Sequence, residues 1–302
     1  MPRLIDCQDP GTATLEEALD ALDAGGFASR DEESLAGASL ALRRLSNNRE
    51  FFGDMLVDRL SATRPSEAET ANGYGPQSII LSQARNGYFL RANIWPSPRD
   101  SVFASSGAET FVYGVPHDHN FSFLTVGYFG PGYRSAYYEY EYADTIGCEG
   151  EKPGLRFIEE SALEEGKMQL YRAHIDIHDQ IPPESMSVSL NVIEVDEASC
   201  WLDQYGFDLE SGAITGTINP NATETFLQVA VGLGGAEAID LADRFGRTHP
   251  SERIRLASFA ARAHLCGDVA TREAVWAEAE RNSGSLLVAR VADRQRRALE
   301  IA

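Results

Sequence analysis

The sequence predicts a mainly β protein with helices, in which an antiparallel β-sandwich or barrel lies between two helical segments. Helical periodicity marks the first 62 residues and returns after about residue 220, while β-branched and aromatic residues alternate between turn signals from about 76 to 200. With 302 residues, 43% of them hydrophobic, the chain can form one large domain or two modest ones. We expect an N-terminal helical layer over 1–62, a β-barrel over 63–215 and a C-terminal helical domain over 220–302.

The N-terminal helical layer begins with a capping-box pattern. Thr14 is followed three residues later by Glu17, and Leu15, Ala18 and Leu22 then form one apolar stripe. Two further helices are predicted over 34–46 and 49–61. Together these segments predict a layer that packs its apolar stripes on the β region.

The β region shows short alternating segments separated by glycine-containing turns. Asn86-Gly87 is a strong hairpin signal. The predicted strands cover Ser78–Ala84, Tyr88–Trp95, Phe121–Phe129, Arg134–Tyr142 and segments near 155–159, 168–178 and 186–195. Many short antiparallel strands at this spacing indicate a sandwich or a barrel.

The C-terminal segment predicts a small helical bundle with a different charge balance. Residues 247–302 hold 10 arginines against 7 acidic residues, whereas the rest of the chain is strongly acidic. The predicted helices cover Thr223–Phe245, Pro250–Leu265, Thr271–Arg281 and Ser285–Ile301, with breaks at Gly246, Gly267 and Gly284. The change in composition suggests a separate unit, packed on the barrel or on a second copy of the chain, so a homo-oligomer is an open alternative.

Charge and cysteine usage limit the function classes. A net charge of −20 argues against nucleic acid or an anionic membrane as the main partner, and the expected partner is a small molecule. No apolar run reaches the length of a membrane span, and the first residues lack the apolar region of a signal peptide. The four cysteines lie far apart without a CxxC pair, which is typical of a reducing compartment. We therefore expect a cytoplasmic protein.

Histidines in the β region predict a metal site. His117 and His119 are two residues apart and share one face of a strand, and the run RAHIDIH gives His174, Asp176 and His178 a shared face as well. Two imidazoles from one strand and one from another can fill one face of a transition metal ion and leave positions open. The alternative is a set of polar residues that line the mouth of the barrel.

The pattern resembles the cupin superfamily, and within it the thiol dioxygenases. The resemblance covers roughly residues 14–195 and rests on the leading helices and on three runs: RNGYFLRANIW, PHDHNFSFL and HIDIHDQIPPESMSVSLNV. As in that branch, the carboxylate of the general cupin motif is missing, since Phe121–Leu124 hold no Glu. The second general cupin motif ends in Asn, and His178 stands in that place here. The resemblance implies a jelly-roll barrel and one Fe(II) ion held by His117, His119 and His174, with dioxygen added to a thiol sulfur. His178 is the reserve ligand, on the same strand face as His174 but further along the strand.

The chain departs from the cysteine-specific members at two places. Asn191 and Ile193 stand where those members have His and Tyr, and Ile79 stands where they have the arginine that binds the substrate carboxylate. Arg85 and Arg91 are the nearest replacements, and Arg91 is the candidate for the pocket. Because an aliphatic side chain cannot form the charge-assisted hydrogen bonds that a carboxylate needs, free L-cysteine is expected to be a poor substrate.

Other polar residues are weaker candidates. Asp176 could orient a ligand imidazole by accepting its N–H. Glu139 and Glu141 could supply a fourth ligand or a general base, although an exposed strand with aromatic cross-strand pairs is the favoured reading of that segment. Asp118 points away from the two flanking histidines and is expected at the surface or in a turn.

The sequence therefore predicts a metal-dependent cupin oxygenase, mononuclear and non-haem, that acts on dioxygen and a small molecule other than free cysteine. Fe(II) is the first choice of metal, with Zn(II), Ni(II) or Mn(II) as alternatives, and Arg91, Asp176 and Asn191 are the candidate catalytic residues. One alternative is a cupin isomerase, lyase or hydrolase that uses one of those other metals. Another is a non-catalytic protein that binds a ligand or docks a partner.

Overall fold

The computed structural model describes residues 1–61 and 77–301. The predicted boundary between residues 62 and 63 lies outside these ranges. The chain divides into two compact units, of which the first comprises 1–142 with 154–200 and the second comprises 143–153 with 201–302. No helix in the described ranges combines the length and apolar character needed to cross a membrane.

Strands of the described chain form antiparallel sheets. They are β1 (Arg3–Leu4), β2 (Ser78–Ile80), β3 (Tyr88–Trp95), β4 (Phe123–Phe129), β5 (Arg134–Glu139), β6 (Arg156–Ala162), β7 (Met168–Tyr171), β8 (Asp176–Ile181), β9 (Ser187–Glu194), β10 (Tyr205–Asp208) and β11 (Ala213–Thr217). The larger sheet of the first unit has the order β1-β7-β4-β9-β3-β2, and the smaller has the order β6-β5-β8. The remaining pair, β10 and β11, is a hairpin in the second unit.

Helices flank the sheets in the sequence. They are α1 (Leu15–Gly25), α2 (Glu32–Asn47), α3 (Phe51–Ser61), α4 (Ser101–Ser106), α5 (Ala222–Gly232), α6 (Ala236–Thr248), α7 (Glu252–His264), α8 (Val269–Asn282) and α9 (Leu286–Ile301). The predicted capping box is confirmed, since the Thr14 hydroxyl accepts the N–H of Glu17 and the Glu17 carboxylate accepts the N–H of Thr14.

The two sheets of the first unit face each other. Phe123, Tyr171 and Ile193 of the larger sheet share a core cluster with Tyr137 of the smaller one. At the other end of the strands the ring of Trp95 lies 4.1 Å from that of Tyr133, measured between centroids. The described strands thus pair as two facing sheets, and their hydrogen bonding does not close them into the predicted barrel.

The outer face of the larger sheet packs on the N-terminal helices. Its apolar side chains form one buried cluster with Leu35, Leu42 and Leu45 of α2. The sheet contributes Tyr88, Leu90, Ala92, Leu124, Val126, Met168, Leu170, Val188, Leu190 and Val192. These residues alternate along each strand with the inward-facing ones, as the two-residue period of a strand requires.

The predicted strand over 168–178 is interrupted by a turn. β7 ends at Tyr171 and β8 begins at Asp176, and between them His174 takes a left-handed conformation with φ of 61°. The Asp176 carboxylate accepts the backbone N–H of Arg172 at 2.8 Å, which holds the turn. The prediction of one continuous strand is therefore wrong, because this side chain captures a backbone donor that a strand would need.

The second unit combines the β10–β11 hairpin with α5 to α9. The single helix predicted over 223–245 is two helices, because the chain breaks at Gly234, whose φ is 79°. Gly246, a predicted break, lies inside α6, where a Cβ atom would stand 3.0 Å from the ring of Phe259. Glycine there allows close packing of α6 on α7 rather than ending a helix.

Candidate metal centre

Three histidines of the first unit converge on one point. His117 precedes β4, and its backbone exchanges two hydrogen bonds with that of His178 on β8, at 3.1 and 3.0 Å. This pairing places the two side chains together, and His119 joins them two residues later. The Nε2 atom of His178 lies 3.2 Å from Nε2 of His117 and 3.1 Å from Nε2 of His119. One nitrogen from each ring lies within 4.8 Å of the others.

The tautomer of His117 is set by its own loop. Its Nδ1 lies 2.6 Å from the carbonyl oxygen of Val115, which can only accept a hydrogen bond. Nδ1 must therefore carry the proton, and Nε2 presents a lone pair toward the other two rings. Such a carbonyl partner on the second ring nitrogen is the usual support of a metal-binding imidazole.

All three imidazoles are held in the neutral form that binds metals. Burial lowers the pKa of His117 to about 4. Burial is also the largest cause that lowers the pKa of His119 and His178 well below the ordinary value, and neighbouring imidazoles and the charge of Arg91 add to it. Near neutral pH the cluster therefore presents unprotonated nitrogen donors.

The spacing of these donors fits one transition metal ion. With metal–nitrogen bonds of about 2.0–2.1 Å and angles between 90° and the tetrahedral value, two bound nitrogens lie about 2.9–3.4 Å apart. Both short Nε2–Nε2 distances fall in this range. Because a neutral imidazole has one N–H, His178 can donate to only one of its two neighbours, whereas a metal ion would use all three lone pairs.

His174, the predicted third ligand, lies outside this cluster. Its backbone N–H donates to the carbonyl of His119 at 2.8 Å, but its ring lies against Tyr142, with centroids 4.1 Å apart. Its Nδ1 is 3.9 Å from the Asp118 carboxylate. His178 takes its place beside His117 and His119. The turn before β8 removes His174 from the strand on which it was expected to share a face with His178.

The candidate carboxylates are also placed elsewhere. Asp176 is buried and pairs with Arg172 at 2.6 Å, and Glu139 accepts from the same guanidinium at 2.8 Å, so Asp176 is engaged by a cation rather than by a ligand imidazole. The favoured reading of the Glu139 strand as exposed is wrong, since β5 is the central strand of the smaller sheet and Tyr137 is fully buried. Asp118, expected at the surface, is also buried and accepts the Tyr140 hydroxyl at 2.6 Å.

The inner face of the larger sheet presents side chains in rows that cross neighbouring strands. The first, here called the polar row, consists of in-register residues of β3, β9, β4 and β7: Arg91, Asn191, Thr125 and Gln169. The second, here called the aromatic row, lies two residues along the same strands: Phe89, Ile193, Phe123 and Tyr171. Arg91, the candidate for the pocket, and Asn191, a candidate catalytic residue, thus stand side by side in one row.

The aromatic row brings this face against the histidines. The ring of Phe123 is 5.0 Å from that of His119, and the ring of Tyr171 is 5.1 Å from that of His178. Phe123 and Tyr171 stack at 4.4 Å, so together they form one apolar wall of the centre. Such a wall limits the access of water to the three imidazoles.

A group of buried tyrosines beside the cluster was missed by the sequence reasoning. The hydroxyl of Tyr171 lies 3.0 Å from that of Tyr137 and 3.4 Å from that of Tyr133. Burial raises the pKa of all three phenols, so they remain neutral and can donate protons in hydrogen bonds. Only the alternation around Tyr137 gave a sequence signal, because Tyr133 and Tyr171 join it through contacts between different strands.

The site therefore contains three neutral nitrogen donors. The aromatic row lies beside them, and the polar row lies next to the aromatic row. This arrangement suits a single transition metal ion with positions left for a small molecule. The basic side chain of Arg91 supplies positive charge near the imidazoles.

Comparisons with known proteins give no family for the chain. No family model matches it, and the search of curated proteins finds no match. Among solved structures, it is similar to the DMSP lyase DddQ from Ruegeria pomeroyi at 10% identity, over 65% of this chain and 78% of that one, with a TM-score of 0.26. It is also similar to a hydroquinone 1,2-dioxygenase from Sphingomonas, at 13% identity over 42% and 70% with a TM-score of 0.27. A cupin domain from Bordetella pertussis gives 14% identity over 40% and 96% with a TM-score of 0.23.

Proposed function

We propose that the first unit is a cupin-type, metal-dependent enzyme that acts on a small molecule and holds one transition metal ion through His117, His119 and His178. The convergence of the three Nε2 atoms carries this proposal. It is supported by the Val115 carbonyl, which keeps the proton of His117 on Nδ1. Two facing antiparallel sheets that enclose the histidines agree with the jelly-roll arrangement that the sequence resemblance implies.

Fe(II) remains the preferred metal and dioxygen the preferred co-substrate, with Zn(II), Ni(II) or Mn(II) as the alternatives. When bound, the metal would supply a Lewis acid and coordination positions for a substrate. Three neutral imidazoles leave the charge of a divalent ion uncompensated. Such a centre therefore favours substrates that carry negative charge or ionise easily.

The protein's own residues would orient the substrate and control its surroundings. Phe123 and Tyr171 exclude water from one side of the histidines. Arg91 and Asn191 face the same interior and are proposed to contact the substrate. Burial keeps the Tyr171 hydroxyl neutral, and its contact with the Tyr137 hydroxyl at 3.0 Å holds the Tyr171 ring in the apolar wall.

The predicted departure from cysteine-specific enzymes stays a proposal. Asn191 and Ile193 are inward-facing on β9, and neither can replace an imidazole or a phenol as a proton donor of matched pKa. Ile79 packs with the outer core cluster of the sheet, away from the inner rows. Because the imidazole and the phenol are missing at positions 191 and 193, free L-cysteine is expected to be converted slowly by the iron-loaded protein, if at all, even where another residue holds its carboxylate.

The deciding experiment measures metal binding before activity. The full chain is purified without chelator and without a nickel column, its metal content is determined, and the metal-free protein is reconstituted with Fe(II) or Zn(II). We expect about one ion per chain, followed by dioxygen uptake with small thiols or small carboxylates for the iron form only. Turnover without dioxygen uptake would favour the isomerase, lyase or hydrolase alternative. Failure to retain either ion would contradict the proposal.

A further inference from the structure

The polar row places several hydrogen-bond donors side by side near the histidines. Cross-strand pairing sets Arg91, Asn191 and Thr125 directly beside one another. Because adjacent strands are about 4.8 Å apart, the three side chains span about 10 Å across the inner face.

Two members of the row carry polar atoms that are buried and have no partner among residues 1–61 and 77–301. They are Nδ2 of Asn191 and Oγ1 of Thr125, in side chains that are 2% and 0% exposed. Buried amides and hydroxyls without partners are uncommon, because they lose their hydrogen bonds to water and gain none in return. Both atoms can donate a hydrogen bond, and they stand next to each other.

The polar row and the aromatic row together contain one basic side chain, that of Arg91. Arg91 stands at one end of the donors, and its positive charge contributes to the lowered pKa of all three clustered histidines. None of the residues in the polar row or the aromatic row is acidic. A row of donors with one guanidinium and no carboxylate is complementary to a single negative charge rather than to a cation.

We propose that the polar row binds the carboxylate of a small organic acid, with Arg91, Asn191 and Thr125 as its hydrogen-bond donors. The identification of this acid as the substrate rests on the proposed function, whereas its binding to the row does not need the metal. A monoanionic carboxylate fits better than a phosphate dianion, because the row offers one cation and two neutral donors. Gln169, which accepts a hydrogen bond from Tyr137 at 3.4 Å, closes the other end of the row.

The test compares three probes of similar size on the metal-free and on the Co(II)-loaded full chain. Butyrate, neutral butyramide and propyl phosphate are titrated by calorimetry, and the visible absorption of Co(II) reports the metal centre separately. We expect butyrate to bind at least tenfold more tightly than butyramide to both forms, and more tightly than propyl phosphate. Equal affinities for butyrate and butyramide, or a preference for the phosphate, would overturn the proposal.

Variants of the row assign the binding to its members. Asn191→Asp replaces a hydrogen-bond donor by a carboxylate, which repels the negative charge of butyrate, and Arg91→Met removes the positive charge. Each variant should reduce butyrate affinity at least tenfold without loss of metal content. Arg85→Met is the matched control, because Arg85 pairs with Asp23 at the exposed hairpin and lies outside the row. If Arg91→Met does not fold, Arg91→Lys, which keeps the charge but not the planar fork, should bind butyrate with intermediate affinity.

The outcomes separate the row from the metal. Butyrate that binds only the Co(II) form, with unchanged affinity in the Asn191→Asp and Arg91→Met variants, would show direct metal binding and refute the row. A chain that binds butyrate through these residues but retains no metal would contradict the proposed function and keep the carboxylate site. The two failures are therefore distinguishable.

Discussion

The two faces of the larger sheet are built from the same strands and serve different ends. On β9, Val188, Leu190 and Val192 point outward into the apolar cluster with the N-terminal helices, while Ser189 and Asn191 point inward. The outward residues are buried against apolar partners. The inward face contains buried polar atoms without partners in the described part of the chain. One face of this strand thus packs in the apolar core, and the other face carries polar side chains that are available to bind a ligand.

The apolar side chains of the outer face and the unpartnered polar atoms of the inner face contribute to the free energy of unfolding with opposite signs. Full burial of a leucine or valine side chain contributes about 1.5–3 kcal/mol. A buried donor left without a partner costs about 1–3 kcal/mol. The apolar side chains of the outer face therefore stabilise the sheet, whereas the unpartnered polar atoms of the inner face weaken it, as is common at sites that bind a ligand. Substitutions on the two faces can test this contrast.

The largest expected effect is on metal binding by the three histidines that the inner face adjoins. Replacement of His178 by Ala removes the nitrogen that lies between the other two, and metal affinity should fall at least about a hundredfold, more than the loss of a residue that only orients a ligand. His174→Ala is the matched control and should keep near-normal affinity, because its ring lies against Tyr142. Metal content after dialysis checks both. Stronger loss in the His174 variant would restore the ligand set predicted from sequence.

On the outer face, Leu190→Ala should act on stability alone. Leu190 is fully buried in the cluster with α2, and truncation of such a side chain lowers the free energy of unfolding by about 2–5 kcal/mol. Denaturant unfolding measures the loss, and the folded variant should still bind one metal ion. A change below about 1 kcal/mol would show that this face does not hold the fold as described.

The buried histidines beside the inner face should also make the metal-free protein sensitive to acid. Burial lowers the pKa of His117 to about 4, whereas in the unfolded chain it is about 6.5. Between these values the unfolded chain binds a proton that the folded protein refuses, so stability falls as the pH falls from about 6.5 toward 4, by at most about 1.4 kcal/mol per pH unit for each histidine. Unfolding of the metal-free protein at pH 7.5 and 5.5 should show a smaller loss for His117→Gln. Equal losses in the two proteins would contradict this.

The smallest expected effects come from one pair of neighbouring residues on β4. Thr125→Val on the inner face removes a buried hydroxyl without a described partner and should raise the free energy of unfolding by up to about 1 kcal/mol. Val126→Thr on the outer face buries a hydroxyl in the apolar cluster and should lower it by about 1–3 kcal/mol. Thermal melts compare the two. Changes of the same sign would remove the distinction between the faces.

Local signals in the sequence predicted local structure well. The Thr14 capping box and the Asn86-Gly87 hairpin depend on neighbouring residues, and both are present. Features that depend on contacts between distant parts of the chain could not be predicted from the sequence. The side chain of Asp176 ends a predicted strand by a turn hydrogen bond, and β1 pairs with β7 across most of the first unit. The helix break at Gly234 was missed because Gly246 gives the same signal, and only packing against Phe259 distinguishes them.

The candidate site was predicted in its residue types more than in its arrangement. The spacing of His117 and His119 identified two members of the cluster, and the third was assigned to His174 because a continuous strand was assumed. What selects His178 is its backbone pairing with His117, which no spacing within one segment reveals. Thr125 gave no signal, since a hydroxyl on a buried strand becomes informative only when its neighbours across the sheet are known.

The polar row and His178 stand on different sheets of the first unit. His178 belongs to β8 of the smaller sheet, whereas Asn191 and Thr125 belong to neighbouring strands of the larger one. Substitutions in the row can therefore alter which molecule is accepted while the metal ligands stay in place. For this architecture, selectivity and metal chemistry can evolve or be engineered independently, and two chains that share the three histidines need not share a substrate.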